Sequence, residues 1–534
     1  MARKRRSLLA LPLIVLVCSL LGGLYGPRTL GAEAAETTEA KDAALPQDVS
    51  LFAKALALVE ANSAEPLNAD KALYDGALPG MMRSLDPHSN FFDPKEFALL
   101  REDQVGHYSG VGMEVTTRNG KTVVTAPFPG SPAWKVGLRP GDIIVSVNDK
   151  TTENLNTTEV ADLLKGPRNT QVKVVVSREG TADYLTFTVT RDDISRKSVQ
   201  DAFWVQPGIA YVKILSFAES TGTDLVATLK DLGEKNIKGL VLDLRGNPGG
   251  LLDTGVAVAD HFLPKGSLIV SHHGRESQER KYIASSGNQG RDYPIVVLVD
   301  RMSASAAEIV SGAMQDHDRA WVLGETTFGK GLVQTVFPMA ENTALALTTA
   351  HFYTPSGRLI QRDYSHLSFY DYYNNHNGSD RNPQDVKMTD SGRTVYGGGG
   401  ITPDEVYKAP PMDKLESPLL RNGLFAFTRT YFATHTINAS SKWMPDATTI
   451  SELHGYLLKN NYTFTEAQFA ADTDWIRRYL TKEMCVWVYG KDQSDMVFAQ
   501  SDPEVAKAVE AMPKAEALVE TARKVVAQRM APRK

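Results

Sequence analysis

Between residues 205 and 355, short apolar runs alternate with stretches of helical period. GLVLDL precedes LLDTGVAVADHFL, PIVVLVD precedes SAAEIVSGAMQDH, and WVLGE and ALALTTAHFY follow. Apolar strands alternating with helices predict an α/β layer with a buried sheet. No other feature of the chain constrains its fold as strongly.

Outside this block the pattern changes. Residues 48–104 carry apolar side chains at three- and four-residue spacing, as in FAKALALVEA, and predict helices. Residues 105–195 break into short strands and turns around one helical stretch, TTEVADLLKG. Residues 365–400, with NNHNGSDRNPQD and GGGG, read as a long excursion or flexible insert. From about 412 the chain is mostly helical to its end. The 534 residues suffice for several domains, and 42 % hydrophobic content is enough for real cores. A net charge of −5 gives no electrostatic footprint for nucleic acid. Two cysteines, Cys18 and Cys485, exclude a disulfide scaffold.

Arg3, Lys4, Arg5 and Arg6 precede an uncharged run that lasts until Arg28, followed by small residues around AEAAE. This is the pattern of an export leader, residues 1–34, with cleavage after Ala34. Residues 7–27 are also nearly long enough to span a bilayer, so a retained membrane anchor is the alternative. Both place the body outside the cytoplasm, in the bacterial periplasm or cell envelope, and the anchor alternative adds membrane contact through residues 7–27.

Several chemistries are absent. There is no HExxH, CxxC or GxSxG, and GNPGG lacks the GK[ST] of a phosphate-binding loop. No metal and no cofactor are expected. What remains is LVDRMSASAAEIVSG, where a strand turns into a helix at Ser303 and Ser305. A hydroxyl there either caps the helix or acts as a nucleophile beside free amides and the positive end of the helix dipole. A serine nucleophile needs a base, and Lys330 in TFGKGLVQT lies at a comparable strand end. It is either a lysine that reaches solvent or a desolvated amine. Bringing its pKa from about 10.4 to near 7 would cost roughly 4–5 kcal/mol. The glycines of DLRGNPGG, after the strand GLVLDL, permit close backbone approach and expose amide donors.

These stretches resemble the carboxyl-terminal processing peptidases, or tail-specific proteases. The likeness runs in unbroken order through SLDPHSNFF (84–92), GVGMEV (110–115), GSPAWKVGLRPGDIIVSVND (130–149), LDLRGNPGG (242–250), SASAAEI (303–309), GETTFGKGLVQT (324–335) and GGGGITPDEVY (397–407). The resemblance implies Ser305 as nucleophile, Lys330 as general base and Gln334 as an aid to positioning the lysine. The 25-residue interval from Ser305 to Lys330 matches that of the family, and the resemblance thereby selects Ser305 over Ser303. It further implies oxyanion donors at the Ala306 amide and at a glycine amide, Gly249 or Gly250. Residues 105–195 resemble a PDZ domain, with Gly110, Val111, Gly112 and Met113 as its carboxylate-binding loop. Asn169 and Ala307 depart from the family's usual glycine and serine.

The implied fold is a crotonase-like, ClpP-like α/β protease core, residues 196–411, with the PDZ domain inserted ahead of it. An N-terminal helical region (35–104) and a C-terminal helical region of unknown role (412–534) flank it. The implied activity is an exported serine endopeptidase acting on proteins held by their C-terminal tails. The alternative is a catalytically inactive PDZ-bearing scaffold or adaptor. A homo-oligomer or an adaptor partner is compatible with either reading.

Overall fold

The computed structural model describes residues 34–374, 382, 384–437 and 443–530. The leader and Cys18 lie outside the described residues. Two compact units are present, residues 1–80 and 81–534. In the first, a helix runs over Ala34–Asn62, followed by a short helical segment over 69–77. No described helix is long and apolar enough to cross a membrane.

The predicted α/β block of the second unit is a six-stranded sheet. Its order is Val199–Gln206, Ile209–Ile214, Gly239–Asp243, Ile295–Val299, Trp321–Gly324 and Glu405–Val406. The first pair is antiparallel and all the others are parallel. Gly239–Asp243 and Ile295–Val299 are buried along their whole length, as strands covered on both faces must be. Leu240 and Leu242 pack on one side with Val258, Phe262, Ala306 and Val310 from the crossover helices. Val241, one residue out of phase, packs on the other side with Val505, Ala508, Met512 and Ala515.

That second cluster answers a question left open by the sequence. The helices Pro503–Glu510 and Met512–Met530 cover one face of the central sheet. Without them Tyr211, Val241, Val296, Leu298 and Leu323 would face water. The preceding helices, from Leu415 to Tyr489, pack around a core of their own that includes Phe427, Leu453, Ile476 and Leu480. They also reach the strand-rich segment, where Arg429 pairs with Glu179 at 3.2 Å.

Residues 105–195 form a sheet in the order Met113–Arg118, Lys121–Pro127, Ile143–Val147, Gln171–Ser177 and Leu185–Thr190, with Lys150–Thr151 alongside. The expected helix is present over Thr157–Leu164 and packs its Val160 and Leu164 into this core. Asn169 takes the left-handed conformation at φ 66°, which asparagine tolerates nearly as well as glycine.

Two expectations are corrected. The helical reading of 48–104 is interrupted by a strand, Asn90–Phe92, antiparallel to Ala344–Tyr353. Phe91 is buried there, so tertiary pairing overrides the helical spacing. The 365–400 stretch is not a loose excursion where it is described. Phe369–Asn374 is helical with Tyr372 fully buried, and the glycine run is tight packing. A Cβ on Gly400 would stand 2.0 Å from the Thr327 carbonyl oxygen, and one on Gly397 1.9 Å from Asp385 Oδ2.

Candidate active site

Ser305 stands where the strand Ile295–Val299 has turned into the helix Ala306–Asp316. Its backbone is at φ 54°, ψ −113°, a region that costs a residue with a side chain about 1–3 kcal/mol and is found where function demands it. The helix is held from every side, since all eleven of its residues are buried. The Glu308 amide donates to the Ser305 backbone carbonyl at 2.9 Å, so that carbonyl rather than the hydroxyl makes the close hydrogen bond at the helix start. Ser303, two residues earlier, is fully buried. Its hydroxyl donates to the Leu244 carbonyl at 2.8 Å and accepts from the Asp300 amide at 2.9 Å. It is thereby committed to structure.

The GNPGG loop closes against this turn. Asn247, fully buried, donates through its side chain to the Ile214 carbonyl and accepts the Ala304 amide on its own carbonyl. Gly249 has φ 97°, and a Cβ there would lie 2.7 Å from both Ser305 Cβ and the Ala304 oxygen. Only glycine fits at that approach. The Gly249 amide, however, donates to Asn247 Oδ1 at 2.8 Å. Among the described residues the amides of Gly250 and Ala306 have no acceptor. Gly250, with φ 145°, is placed by a bridge to Phe217.

Lys330 precedes the strand Leu332–Pro338, and its flanking glycines have a steric reason. A Cβ on Gly329 would stand 3.0 Å from the Gly400 amide nitrogen and from Arg362 Cβ. One on Gly331 would stand 2.9 Å from the Gln361 nitrogen. The chain carrying Lys330 therefore runs flush against residues 360–362 and 399–400. Lys330 Nζ donates to Gln334 Oε1 at 3.3 Å. Simple alternation along one strand would put both on one face. Instead Lys330 lies before the strand, and a bulge between Val333 and Gln334 re-aims the glutamine. Burial holds the Lys330 amine below the ordinary lysine range, while Glu308 and Asp86 act in the opposite direction.

Glu308 is the residue the sequence reading missed. It is fully buried in the first turn of the helix. Its Oε2 accepts the amides of Ser305 at 2.8 Å and Lys330 at 2.9 Å. Its Oε1 accepts the Gly329 amide at 2.7 Å and the Thr327 hydroxyl at 2.5 Å. Burial raises its pKa, and these four donors oppose the rise. In sequence it is an ordinary helix-forming glutamate, and nothing local marks it.

Ser305, Lys330, Gln334, Gly249 and Gly250 all border one cavity of about 540 Å³. A serine at a strained turn, a desolvated amine and unpaired amides on one cavity are the parts of an acyl-transfer site. Among the described residues no cluster of His, Cys, Asp or Glu could hold a metal ion.

The strand-rich segment carries the other expected site. Gly110, Val111, Gly112 and Met113 lead into Met113–Arg118, an edge strand beside the helix Thr157–Leu164. Gly112 has φ 76°, and a Cβ there would meet Ser131 Cβ at 2.5 Å. The far side of the helix is held by Pro94–Val105 through Lys165–Glu102 at 2.6 Å and Lys95–Asp162 at 2.5 Å.

Residues 208–365 match Peptidase family S41, and residues 123–178 match a PDZ domain. A carboxy-terminal-processing protease of Bartonella bacilliformis is 40 % identical over 296 residues, which cover 55 % of this chain and 68 % of that one. The chain belongs to peptidase family S41. A second relative, carboxy-terminal processing protease CtpB of Bacillus subtilis, is 32 % identical over 312 residues, covering 58 % of this chain and 65 % of that one. This chain therefore spans about two thirds of the length of each. Among solved structures, a photosystem II D1 C-terminal processing protease aligns at 29 % identity with a TM-score of 0.35, covering 65 % of this chain and 84 % of that one. As an S41 member the protein is a serine-type peptidase with a PDZ segment ahead of its peptidase sheet.

Proposed function

We propose that this chain is an exported endopeptidase that holds protein substrates by their C-terminal tails and cuts them with a Ser305–Lys330 dyad. The observation that carries the reading is the buried Lys330 amine, held by the neutral acceptor Gln334 Oε1 on the cavity that Ser305 and Gly250 share. A carboxylate in place of Gln334 would keep the amine protonated. An amide oxygen takes one N–H and leaves the lone pair of the neutral amine available.

Neutral Lys330 accepts the Ser305 hydroxyl proton as the oxygen attacks the scissile carbonyl carbon. The negative charge that develops on the carbonyl oxygen is met by the amides of Gly250 and Ala306. Gly249 supplies clearance rather than a donor, because its amide is spent on Asn247. Protonated Lys330 then gives its proton to the departing amine, and the C–N bond breaks to leave an acyl-Ser305 ester. A water deprotonated by Lys330 attacks that ester, and the proton returns to Ser305. The edge strand Met113–Arg118 would pair with the extended tail, and the Gly110–Met113 amides would receive its terminal carboxylate. The N-terminal leader would deliver the enzyme to the cell envelope.

The test is cleavage by leader-deleted protein of an unstructured peptide with an apolar C-terminus, beside its C-amidated twin. Loss of cleavage in Ser305→Ala and Lys330→Ala is expected, with weaker cleavage of the amidated peptide. Undiminished cleavage by Lys330→Ala would overturn the dyad. Equal cleavage of both peptides would overturn tail recognition.

A further inference from the structure

We infer that His88 and Tyr372 are positioning residues for the general base: they form a strut that fixes Gln334, and through it Lys330. The inference rests on the Ser305–Lys330 reading above. The motif SLDPHSNFF that supplies His88 lies over 200 residues from the dyad in sequence.

The chain of contacts has an orientation at every link. Gln334 Nε2 donates to the His88 backbone carbonyl. A carbonyl can only accept, so the Gln334 amide group must turn its NH₂ toward His88 and its oxygen toward Lys330. The His88 carbonyl therefore decides which face Gln334 presents to the amine. What holds His88 is its ring. Nε2 lies 2.9 Å from the Tyr372 hydroxyl and Nδ1 lies 3.1 Å from the Tyr373 hydroxyl. The Tyr373 hydroxyl donates to the Pro87 carbonyl at 3.0 Å, so it accepts from Nδ1–H. Nε2 is then unprotonated and accepts from Tyr372. Burial and the nearby Lys330 lower the His88 pKa to about 3, which keeps the ring in this neutral form.

Tyr372 is in turn held on its other side. Gln361 Nε2 donates to the Tyr372 hydroxyl at 3.3 Å, and Gln361 Oε1 accepts the amide of Gly331, the residue after Lys330, at 2.9 Å. Arg362 donates to the Tyr372 carbonyl at 2.5 Å and lies over its ring at 4.5 Å. The contacts thus run from the Gly331 amide, next to Lys330, out through Gln361, Tyr372 and His88, then back through Gln334 to the Lys330 amine. The charged groups acting on that amine are Glu308 from the helix Ala306–Asp316 and Asp86 from the SLDPHSNFF segment; the neutral His88 ring is the titratable neighbour on which the amine itself acts.

Removing the Tyr372 hydroxyl frees the His88 ring, lets Gln334 relax and gives water access to the Lys330 amine. The experiment follows covalent labelling of Ser305 by an arylsulfonyl fluoride as a function of pH, which needs no peptide recognition, alongside thermal unfolding. Tyr372→Phe is expected to unfold near the wild-type temperature. The acid limb of its labelling profile should move up by about one pH unit, so labelling below that limb falls roughly ten-fold. His88→Asn, which retains the backbone carbonyl, should move the limb in the same direction and serves if Tyr372→Phe does not fold. An unshifted limb in both variants beside a pH-dependent wild type overturns the strut alone. Wild-type protein that is not labelled at Ser305 overturns the dyad reading and the strut with it.

Discussion

Lys330 and Glu308 meet through the backbone: the Lys330 amide donates to Glu308 Oε2 at 2.9 Å, and the same oxygen accepts the Ser305 amide at 2.8 Å. One buried carboxylate thus sets the separation of the two turns that carry Ser305 and Lys330. Glutamine has the same shape but only one acceptor oxygen, and its NH₂ would confront amide donors. Glu308→Gln is expected to lower peptide hydrolysis by roughly 100-fold, the effect of misplacing reacting groups by about an ångström. It should cost about 1–3 kcal/mol of stability for the unsatisfied donors. Initial rates and a thermal melt on the same sample check both. A wild-type rate would show that the carboxylate does not set the geometry.

The GNPGG loop offers a paired test. Gly249→Ala places a Cβ against Ser305 and the Ala304 oxygen at φ 97°, so the loop must move away from Ser305. A loss of about 10²–10³ in rate is expected, comparable to losing an oxyanion donor. Gly246 also has positive φ, at 71°, but a Cβ there meets nothing within 4 Å. Gly246→Ala should cost only the left-handed backbone strain of about 1–2 kcal/mol and keep most activity. Equal rates for the two variants would refute the close approach as the cause.

Burying the Lys330 amine costs stability. Its pKa is lower folded than unfolded, so between the two values the unfolded chain binds more protons and stability rises with pH. The penalty is full below the folded pKa and vanishes as pH approaches the ordinary lysine value of 10.5. Lys330→Met is therefore expected to be inactive yet to melt higher than wild type, with the gain largest at low pH. Melting curves across pH read this directly, and a gain that grows toward pH 10 would contradict it. The activity of the wild type should rise with pH as the amine loses its proton.

The last helices complete the core. Deleting residues 491–534 uncovers Tyr211, Val241, Val296, Leu298 and Leu323 and leaves Arg245 without Asp502 and Glu504, which it contacts at 3.0 and 2.7 Å. The truncated protein is expected to be insoluble or to lose cooperative unfolding. Val505→Asp, which puts a charge into the same interface, should cost about 3 kcal/mol or more. A soluble truncation with a sharp melt would show that these helices are an appendage.

By itself the sequence determined the layer architecture and singled out the segments whose residues border one cavity. Apolar runs of strand length and helical periodicity are local signals, and so are a serine at a strand-to-helix junction, a lysine between glycines and the GNPGG turn. Physical chemistry reads each within about ten residues. Tertiary structure decided what depends on segments meeting. Glu308 looks like any helix glutamate until the amides of Gly329 and Lys330, about twenty residues on, converge on it. His88 and Tyr372, 284 residues apart, become one device only when their segments meet. The GGGG run, which composition reads as slack, is a close contact that a single Cβ would break. Hydrogen bonds and van der Waals contacts act over about 3–4 Å, so partners far apart along the chain leave no mark on the residues beside them.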